Sequence, residues 1–147
     1  MRATCFLNLF ISGVLIALPL AAGAGPLDEQ VKAAYATWNV AFNKGDAKAI
    51  ASFYTSDASF LPATHDVIEG PEGVEKFYTH LFSSGVTDHT LDLLRVVGDD
   101  KILVAAARWS VTGKDASGAA KRFDGVAAHV FEKQADGSLK LKLHTFN

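Results

Sequence analysis

Cysteine is nearly absent from this chain of 147 residues, whose one cysteine is Cys5. It precedes an apolar run over residues 9–20, so the remainder of the chain has no thiol. The absence excludes a disulfide framework, a cysteine nucleophile and a thiolate metal site from the folded part. Stability must therefore come from an ordinary hydrophobic core, which a chain of this length can supply.

An excess of charge of one sign is also lacking. The 14 lysines and arginines nearly balance the 16 aspartates and glutamates, which gives a net charge of −2. Because no polybasic stretch is present, we expect neither nucleic acid nor an anionic membrane surface as a partner. Apolar residue types make up 49% of the chain, and this content excludes an intrinsically disordered protein.

Residues 1–24 have the pattern of a secretory signal peptide. Arg2 precedes the apolar run, and Ala22, Gly23 and Ala24 are the small residues that a signal peptidase accepts. The run is shorter than the roughly 20 residues that a membrane-spanning helix needs, so cleavage is favoured over an uncleaved anchor. We expect cleavage after Ala24, export to the periplasm or the medium, one domain over residues 25–147, and no stable membrane association afterwards.

Helical spacing dominates the first half of this domain. Apolar residues recur every three or four positions over residues 28–45, again over 49–54, and again over 71–85. Glycines at 45 and 85 end the first and third segments. One brief extended piece is predicted to end at 60–62, and another is predicted at 67–70. The pattern therefore predicts three helices.

Strand patterns replace the helical ones after Gly85. Four β-rich runs cover residues 87–97, 101–112, 122–133 and 139–146, and glycine-containing turns separate them. Links this short require antiparallel neighbours, because a parallel return needs a crossover of about a dozen residues or more. The sequence predicts an α+β domain with three helices followed by a four-stranded antiparallel meander.

The predicted strands are apolar on both faces. Leu103 and Ala105 alternate with Ile102 and Val104, so a sheet covered on one side only would expose one of the two sets. The helices can cover one face, and the sheet of a second copy can cover the other. We expect a homodimer, and the alternative is a monomer whose outer face is merely rich in alanine.

Several short segments, taken in order, resemble a known superfamily. They are WNVAFNKGD at 38–46, FYTSDA at 53–58, IEG at 68–70, FY at 77–78 and the closing strand at 139–147. The chain is similar to the nuclear transport factor 2-like superfamily, which includes ketosteroid isomerases, SnoaL-like cyclases and the association domain of calmodulin-dependent kinase. The resemblance implies a cone, in which a curved antiparallel sheet wraps round a long helix. It also implies a pocket at the wide end and dimerisation through the outer face of the sheet.

The resemblance also tests one specific activity. Ketosteroid isomerase chemistry uses a carboxylate base, together with a tyrosine and a protonated aspartic acid that stabilise the enolate. The matching positions hold Leu61 or Pro62 for the base, Trp38 for the tyrosine and Ala128 for the acid. Acid–base catalysis and oxyanion stabilisation are each worth about two to three powers of ten or more in rate, so without these groups we expect no steroid isomerisation.

The same register predicts an apolar, aromatic pocket for a hydrophobic small molecule. Its expected ligand-binding residues are Trp38, Tyr54, Phe60, Tyr78, Trp109, Asp124, Ala128 and Thr145. Tyr54 and Tyr78 resemble phenols that support the site in the family; they are either ligand donors or buried rings whose hydroxyls bond to backbone or water. Asp124 is the one carboxylate of the set. If it is buried, its raised pKa suits a general acid or base; if it is exposed, it pairs with Arg122 or Lys121.

The histidines give a weaker signal. His65 follows Pro62 in a loop near the expected pocket mouth. By strand alternation, His129 and His144 point away from the pocket toward the dimer face, unless a bulge near the end of the last strand reverses His144. No two histidines have the spacing of a helical or strand zinc pair, so neither a metal nor a cofactor is expected.

Three functions stay open at this point. The first is an exported small-molecule-binding domain, and the second is a SnoaL-like lyase, cyclase or dehydratase that uses Asp124, Tyr54 or His65. The third is a purely structural dimerisation domain. An unfilled apolar cavity would favour binding, a filled interior the structural role, and two titratable groups converging on one void an enzyme.

Overall fold

The computed structural model describes residues 25–147. The predicted signal peptide at 1–24 lies outside the described residues. The elements in chain order are α1 (Pro26–Asn43), α2 (Ala47–Ser52), β1 (Tyr54–Leu61), β2 (Ile68–Glu69), α3 (Gly70–Ser83), β3 (Thr87–Gly98), β4 (Ile102–Lys114), β5 (Ala120–Lys133) and β6 (Leu139–Phe146). Among the described helices, none combines the length and the apolar character needed to cross a membrane.

The three predicted helices are present, and local chemistry explains their ends. Pro26 opens α1, and Gly45 follows it with a φ of +68°, a left-handed conformation that glycine adopts without steric cost. The Asp46 carboxylate accepts a hydrogen bond of 2.9 Å from the backbone N–H of Ala49 and so caps α2. The predicted extent of α2 is wrong at its end, because Tyr54 begins strand β1.

The six strands form one curved, unclosed sheet in the order β2-β1-β6-β5-β4-β3. Strands β3 to β6 form the predicted antiparallel meander. Strand β1 ends at Leu61, within the predicted end at 60–62. It pairs with β6 in parallel, so the sheet is not wholly antiparallel. A parallel pair is possible here because α3 and the strands β3 to β5 make up the long crossover between them. The architecture is the cone-shaped α+β fold that the sequence predicts.

The helices pack against the inner face of this sheet. Along β4, the inward residues Leu103, Ala105 and Ala107 are almost fully buried, whereas Val104 is 43% exposed on the outer face. Trp38 of α1 and Tyr78 of α3 lie in the core that these elements enclose. The core therefore has one sheet wall and one helical wall.

The expected orientation of β5 is wrong by one residue. Trp109 on β4 is paired with Gly125, and Ala107 is paired with Ala127. Residues directly opposite in an antiparallel pair point to the same face, so Ala127 is turned inward together with Trp109. Asp124 and Ala128 consequently lie on the outer face, and both are exposed. Because side chains alternate along a strand, a shift of one residue reverses every one of them.

A β-bulge in β6 reverses the end of that strand. Val130 pairs with Leu143 and Phe131 pairs with Leu141, which leaves Lys142 as one extra residue. His144 is therefore buried on the inner face, as Leu141 is. The prediction that His144 points outward is therefore wrong, because the last strand contains a bulge of the kind that reverses this side chain. Thr145 pairs with Ala128 on the outer face, so its expected place in the pocket is also wrong.

Candidate functional site

An apolar cavity of about 260 Å³ lies between helices α1 and α3 and the inner face of the meander. None of its wall residues among 25–147 is an aspartate, glutamate, lysine or arginine. Its polar groups come from histidine, tyrosine and tryptophan side chains. The wall consists of Trp38, Phe42, Tyr78, Leu81, Val86, His89, Leu91, Trp109, Val111, Phe123, Ala127, His144 and Phe146.

Five of the expected pocket residues lie at or directly behind this cavity. Trp38, Tyr78 and Trp109 contribute to its wall. Tyr54 and Phe60 are fully buried behind His144, with ring centroids 6.1 Å and 4.9 Å from its imidazole. They pack against the wall residue His144 and do not themselves line the open volume.

The other expected site residues lie elsewhere. Asp124 belongs to a polar group on the outer face of the sheet, together with Asp92, Arg108, Ser110 and Arg122. Its expected place in the pocket is therefore wrong. Ala128 and Thr145 share that outer face. His65 is exposed in the loop between β1 and β2 and contributes nothing to the cavity wall.

Trp38 is the centre of the aromatic cluster that surrounds the cavity. Its ring centroid lies 4.7 Å from His89, 5.3 Å from Phe42 and 5.7 Å from Tyr78. The rings of Trp38 and His144 are 6.2 Å apart and nearly perpendicular. The Trp38 indole N–H is buried and has no hydrogen-bond partner among the described residues, so the ring is held by packing alone.

Three buried histidines accompany this cluster, and each has its Nδ1 atom engaged. The Tyr54 hydroxyl lies 2.6 Å from Nδ1 of His144, and the Tyr35 hydroxyl lies 2.8 Å from Nδ1 of His129. The imidazoles of His129 and His144 lie 4.6 Å apart between centroids and are tilted by 39° to each other. The third histidine, His89, has its Nδ1 2.7 Å from Oδ1 of Asn39.

Helix α1 also fixes the backbone of the third histidine. The Asn43 side chain accepts a bond of 2.7 Å from the His89 N–H and donates one of 3.0 Å to the His89 carbonyl oxygen. Two asparagines one helical turn apart thus hold both the side chain and the main chain of this residue. This arrangement gives the imidazole a single orientation at the cavity wall.

Burial keeps these imidazoles neutral. It lowers the pKa of His89 to about 3, with a smaller contribution from His129, and it lowers the pKa of His129 to about 4. The pKa of His144 falls well below its usual range, mainly through burial and then through the two other histidines. Burial and the neighbouring Tyr78 raise the pKa of the Tyr54 hydroxyl well above its usual range. At neutral pH the site is therefore a set of uncharged hydrogen-bonding groups.

Neutral imidazoles of such low pKa are weak bases. Efficient general-base catalysis needs a pKa near the working pH, whereas His89 lies several units below it. The same groups remain good hydrogen-bond donors and acceptors. The chemistry of the wall therefore suits recognition of an uncharged molecule better than removal of a proton. Within the described residues, no cluster of histidine, cysteine, aspartate and glutamate is placed to hold a metal ion.

Sequence reasoning missed His89 and His144 as members of the cavity wall. Its prediction that His129 points outward is also wrong, because His129 is buried on the inner face of the sheet. One signal was available at Gly125, where a Cβ atom would lie 2.8 Å from the Trp109 Nε1 atom. A glycine inside a strand often marks the close approach of another group, here the tryptophan opposite it. Pairing these two residues sets the register in which His129 faces inward.

Comparison with known proteins agrees with the fold. The family model of the SnoaL-like domain matches residues 31–140. A search of the curated proteins found no match. Among solved structures, a putative calcium/calmodulin dependent protein kinase II association domain from Xanthomonas campestris is 26% identical, with a TM-score of 0.66, over 89% of this chain and 91% of that chain.

Two further solved structures are similar at lower identity. A ketosteroid isomerase-like protein from Erwinia carotovora atroseptica is 20% identical, with a TM-score of 0.70, over 80% of this chain and 92% of that chain. Aln2 from a Streptomyces species is 22% identical, with a TM-score of 0.73, over 84% of this chain and 92% of that chain. At these identities the likeness shows the shared fold alone.

Proposed function

The chain belongs to the SnoaL-like domain family of the nuclear transport factor 2-like superfamily, and on that basis we propose that it binds a small hydrophobic molecule and does not isomerise ketosteroids. The unfilled apolar cavity carries this proposal. Its volume of about 260 Å³ lies just below the range of roughly 300 to 1,000 Å³ that is usual for ligand sites. The expected ligand therefore has one or two rings.

Two other functions have less support. A lyase, cyclase or dehydratase would use Asp124, Tyr54 or His65, but Asp124 and His65 are exposed away from the cavity and Tyr54 is behind its wall. A purely structural domain would be expected to fill its interior with side chains, because close packing stabilises a core. The absence of a carboxylate from the described wall also supports the lack of isomerase activity.

Ligand binding is testable with a screen of hydrophobic phenols and carboxylates that have one or two rings, and of steroids as larger compounds. Since Trp38 and Trp109 both line the cavity, a bound ligand is expected to quench tryptophan fluorescence. A ligand present at 100 times its Kd is also expected to stabilise the fold by about 2.7 kcal/mol, which raises the melting temperature. A screen with neither effect would contradict the proposal.

A matched pair of variants locates the binding. Ala127 lies in the cavity wall, and its neighbour Ala128 lies on the outer face of the same strand. Ala127→Leu places three additional carbon atoms in the cavity and is expected to abolish binding. Ala128→Leu adds the same atoms outside the cavity and is expected to leave the affinity unchanged. Equal effects of the two variants would place the ligand elsewhere.

We also propose that the protein is exported and processed after Ala24. The support is the sequence pattern of residues 1–24. N-terminal sequencing of the protein recovered from its native cells is expected to begin at Gly25. Recovery of a chain that begins at Met1 would contradict both the cleavage and the export.

We also propose that the protein forms a homodimer through the outer face of the sheet. Val97, Val104 and Val126 on that face are each more than 40% exposed. Beside them, Asp92 and Asp124 stand next to two arginines. A two-fold interface brings a patch against its own copy, so equal numbers of acidic and basic groups are self-complementary. Exposed apolar area and balanced charge together support a second copy as the partner.

Val104→Asp is expected to convert this dimer to a monomer. The change places a charge without a partner in a dry contact, at a cost of about 3 to 5 kcal/mol. Size-exclusion chromatography with light scattering measures the mass directly. The control is Val40→Asp on the exposed side of α1, where the valine is 54% exposed. A monomeric wild type, or a Val104→Asp protein that stays dimeric, would contradict the prediction.

A further inference from the structure

We infer that the ligand carries an uncharged hydroxyl group, which hydrogen-bonds to the Nε2 atoms of His89 and His144. The inference rests on the proposed function and specifies its ligand class. Both histidines belong to the cavity wall, and both are more than nine-tenths buried. Each uses Nδ1 for a partner within the protein, so Nε2 is the ring nitrogen that is left for the cavity.

His144 presents a hydrogen-bond donor. The Tyr54 hydroxyl lies 2.6 Å from its Nδ1 atom. A phenol O–H is more acidic than a neutral imidazole N–H, so the hydroxyl donates and Nδ1 accepts. A neutral imidazole has one N–H, which must then be on Nε2. The hydrogen bond from Tyr54 thus leaves His144 with its N–H group at Nε2, where it can donate to the ligand.

His89 presents a hydrogen-bond acceptor. Its Nδ1 lies 2.7 Å from Oδ1 of Asn39, an amide oxygen that can only accept. Nδ1 therefore carries the proton, and Nε2 has a free lone pair. The pKa of about 3 keeps this lone pair unprotonated at neutral pH. At Nε2, His144 therefore has a hydrogen-bond donor and His89 an acceptor, because their partners at Nδ1 differ.

A hydroxyl group matches this pair of nitrogens. Its oxygen accepts from Nε2–H of His144, and its hydrogen is donated to Nε2 of His89. An ether or ketone oxygen satisfies only the donor and leaves the lone pair of His89 unpaired. A carboxylate also lacks a hydrogen, and no cation among the described residues lines the cavity to balance its charge. Both rings pack against Trp38, with centroid distances of 4.7 Å for His89 and 6.2 Å for His144, so the two imidazoles adjoin one side chain of the cavity wall.

Four naphthalene compounds test the inference on the wild-type protein. Isothermal titration calorimetry at neutral pH gives the Kd of 2-naphthol, 2-methoxynaphthalene, naphthalene and 2-naphthoate. We expect 2-naphthol to bind about tenfold more tightly than 2-methoxynaphthalene, because only the naphthol has a hydrogen to donate. We expect 2-naphthoate to bind most weakly. Equal affinities of the naphthol and the ether, or tightest binding of the carboxylate, would overturn the inference and leave the binding function standing.

Asparagine variants assign the two roles. Asparagine places its amide where Nδ1 of histidine stands and has no atom at Nε2. His89→Asn is expected to remove the preference for 2-naphthol over the ether, and His144→Asn to reduce both affinities to that of naphthalene. The control is His129→Asn, because His129 has the same bond to a tyrosine but is not part of the cavity wall. A control that changes the ligand preferences as His89→Asn does would contradict the assignment.

These experiments distinguish failure of the proposed binding function from failure of the hydroxyl inference alone. If none of the four compounds binds to the wild-type protein, the proposed function itself fails for ligands of this size. If they bind and Ala127→Leu removes the binding, but the hydroxyl gives no advantage, the cavity is a ligand site and only the hydroxyl inference fails. Melting temperatures of the variants in the absence of ligand identify any that do not fold.

Discussion

Lowering the pH from 7.5 to 5 is expected to reduce the free energy of unfolding of this protein by about 6 kcal/mol. The cause is the burial of His89, His129 and His144 in the neutral state. The folded-state pKa is about 3 for His89 and about 4 for His129, and that of His144 is also far below the value of about 6.5 in an unfolded chain. As the pH falls through about 6.5, the unfolded state therefore comes to bind up to about three more protons than the folded state.

The sign follows from proton linkage. Stability rises with pH wherever the unfolded state binds more protons, so it is complete above about pH 6.5 and is lost as the pH falls below that value. Three histidines give a slope approaching about 4 kcal/mol per pH unit, and a loss of about 6 kcal/mol at pH 5. Since a domain of this kind is stable by only about 5 to 15 kcal/mol, this loss is a large part of its total stability.

Urea unfolding followed by circular dichroism at pH 7.5, 6 and 5 measures this loss. His129→Asn removes one of the three buried imidazoles and is expected to reduce the pH slope by about one third. His65→Asn, at an exposed loop position, is the matched control and is expected to leave the slope unchanged. An unfolding free energy that stays the same between pH 7.5 and 5 would show that the histidines are not buried as the structure has them.

Trp38→Ala is expected to lower the free energy of unfolding by about 3 to 5 kcal/mol. Trp38 is 5% exposed and packs against the rings of Phe42, Tyr78 and His89. Removing the indole enlarges a cavity that is already unfilled, and the surrounding rings lose a shared contact. The same change is expected to weaken ligand binding by about 2 kcal/mol, because aromatic area is removed from the wall.

Trp38→Phe separates packing from hydrogen bonding. The Trp38 N–H has no partner among the described residues, so phenylalanine loses volume but no hydrogen bond. We expect a stability between those of the wild type and Trp38→Ala, measured by urea unfolding at pH 7.5, where the histidines are neutral. A loss as large with phenylalanine as with alanine would mean that the indole N–H makes a bond that packing does not explain.

The sequence by itself determined the class of fold. Spacings of three and four predict α1 and α3 because one face of a helix must be apolar to pack, and Gly45 and Gly85 mark where each ends. Short glycine turns make the strands from β3 to β6 antiparallel because no crossover fits between them. Trp38, Tyr78 and Trp109 are large aromatic residues on those elements, and all three line the cavity.

Only the tertiary structure decided which polar groups face the cavity. Strand β5 is apolar on both faces, so its pattern alone does not distinguish the two registers. Pairing of Trp109 with Gly125 turns His129 inward and Asp124 outward. The bulge at Lys142 turns His144 inward and Thr145 outward. Side chains alternate every residue along a strand, so one pairing or one extra residue exchanges the two faces. For that reason the site contains neutral histidines where the sequence predicted a carboxylate.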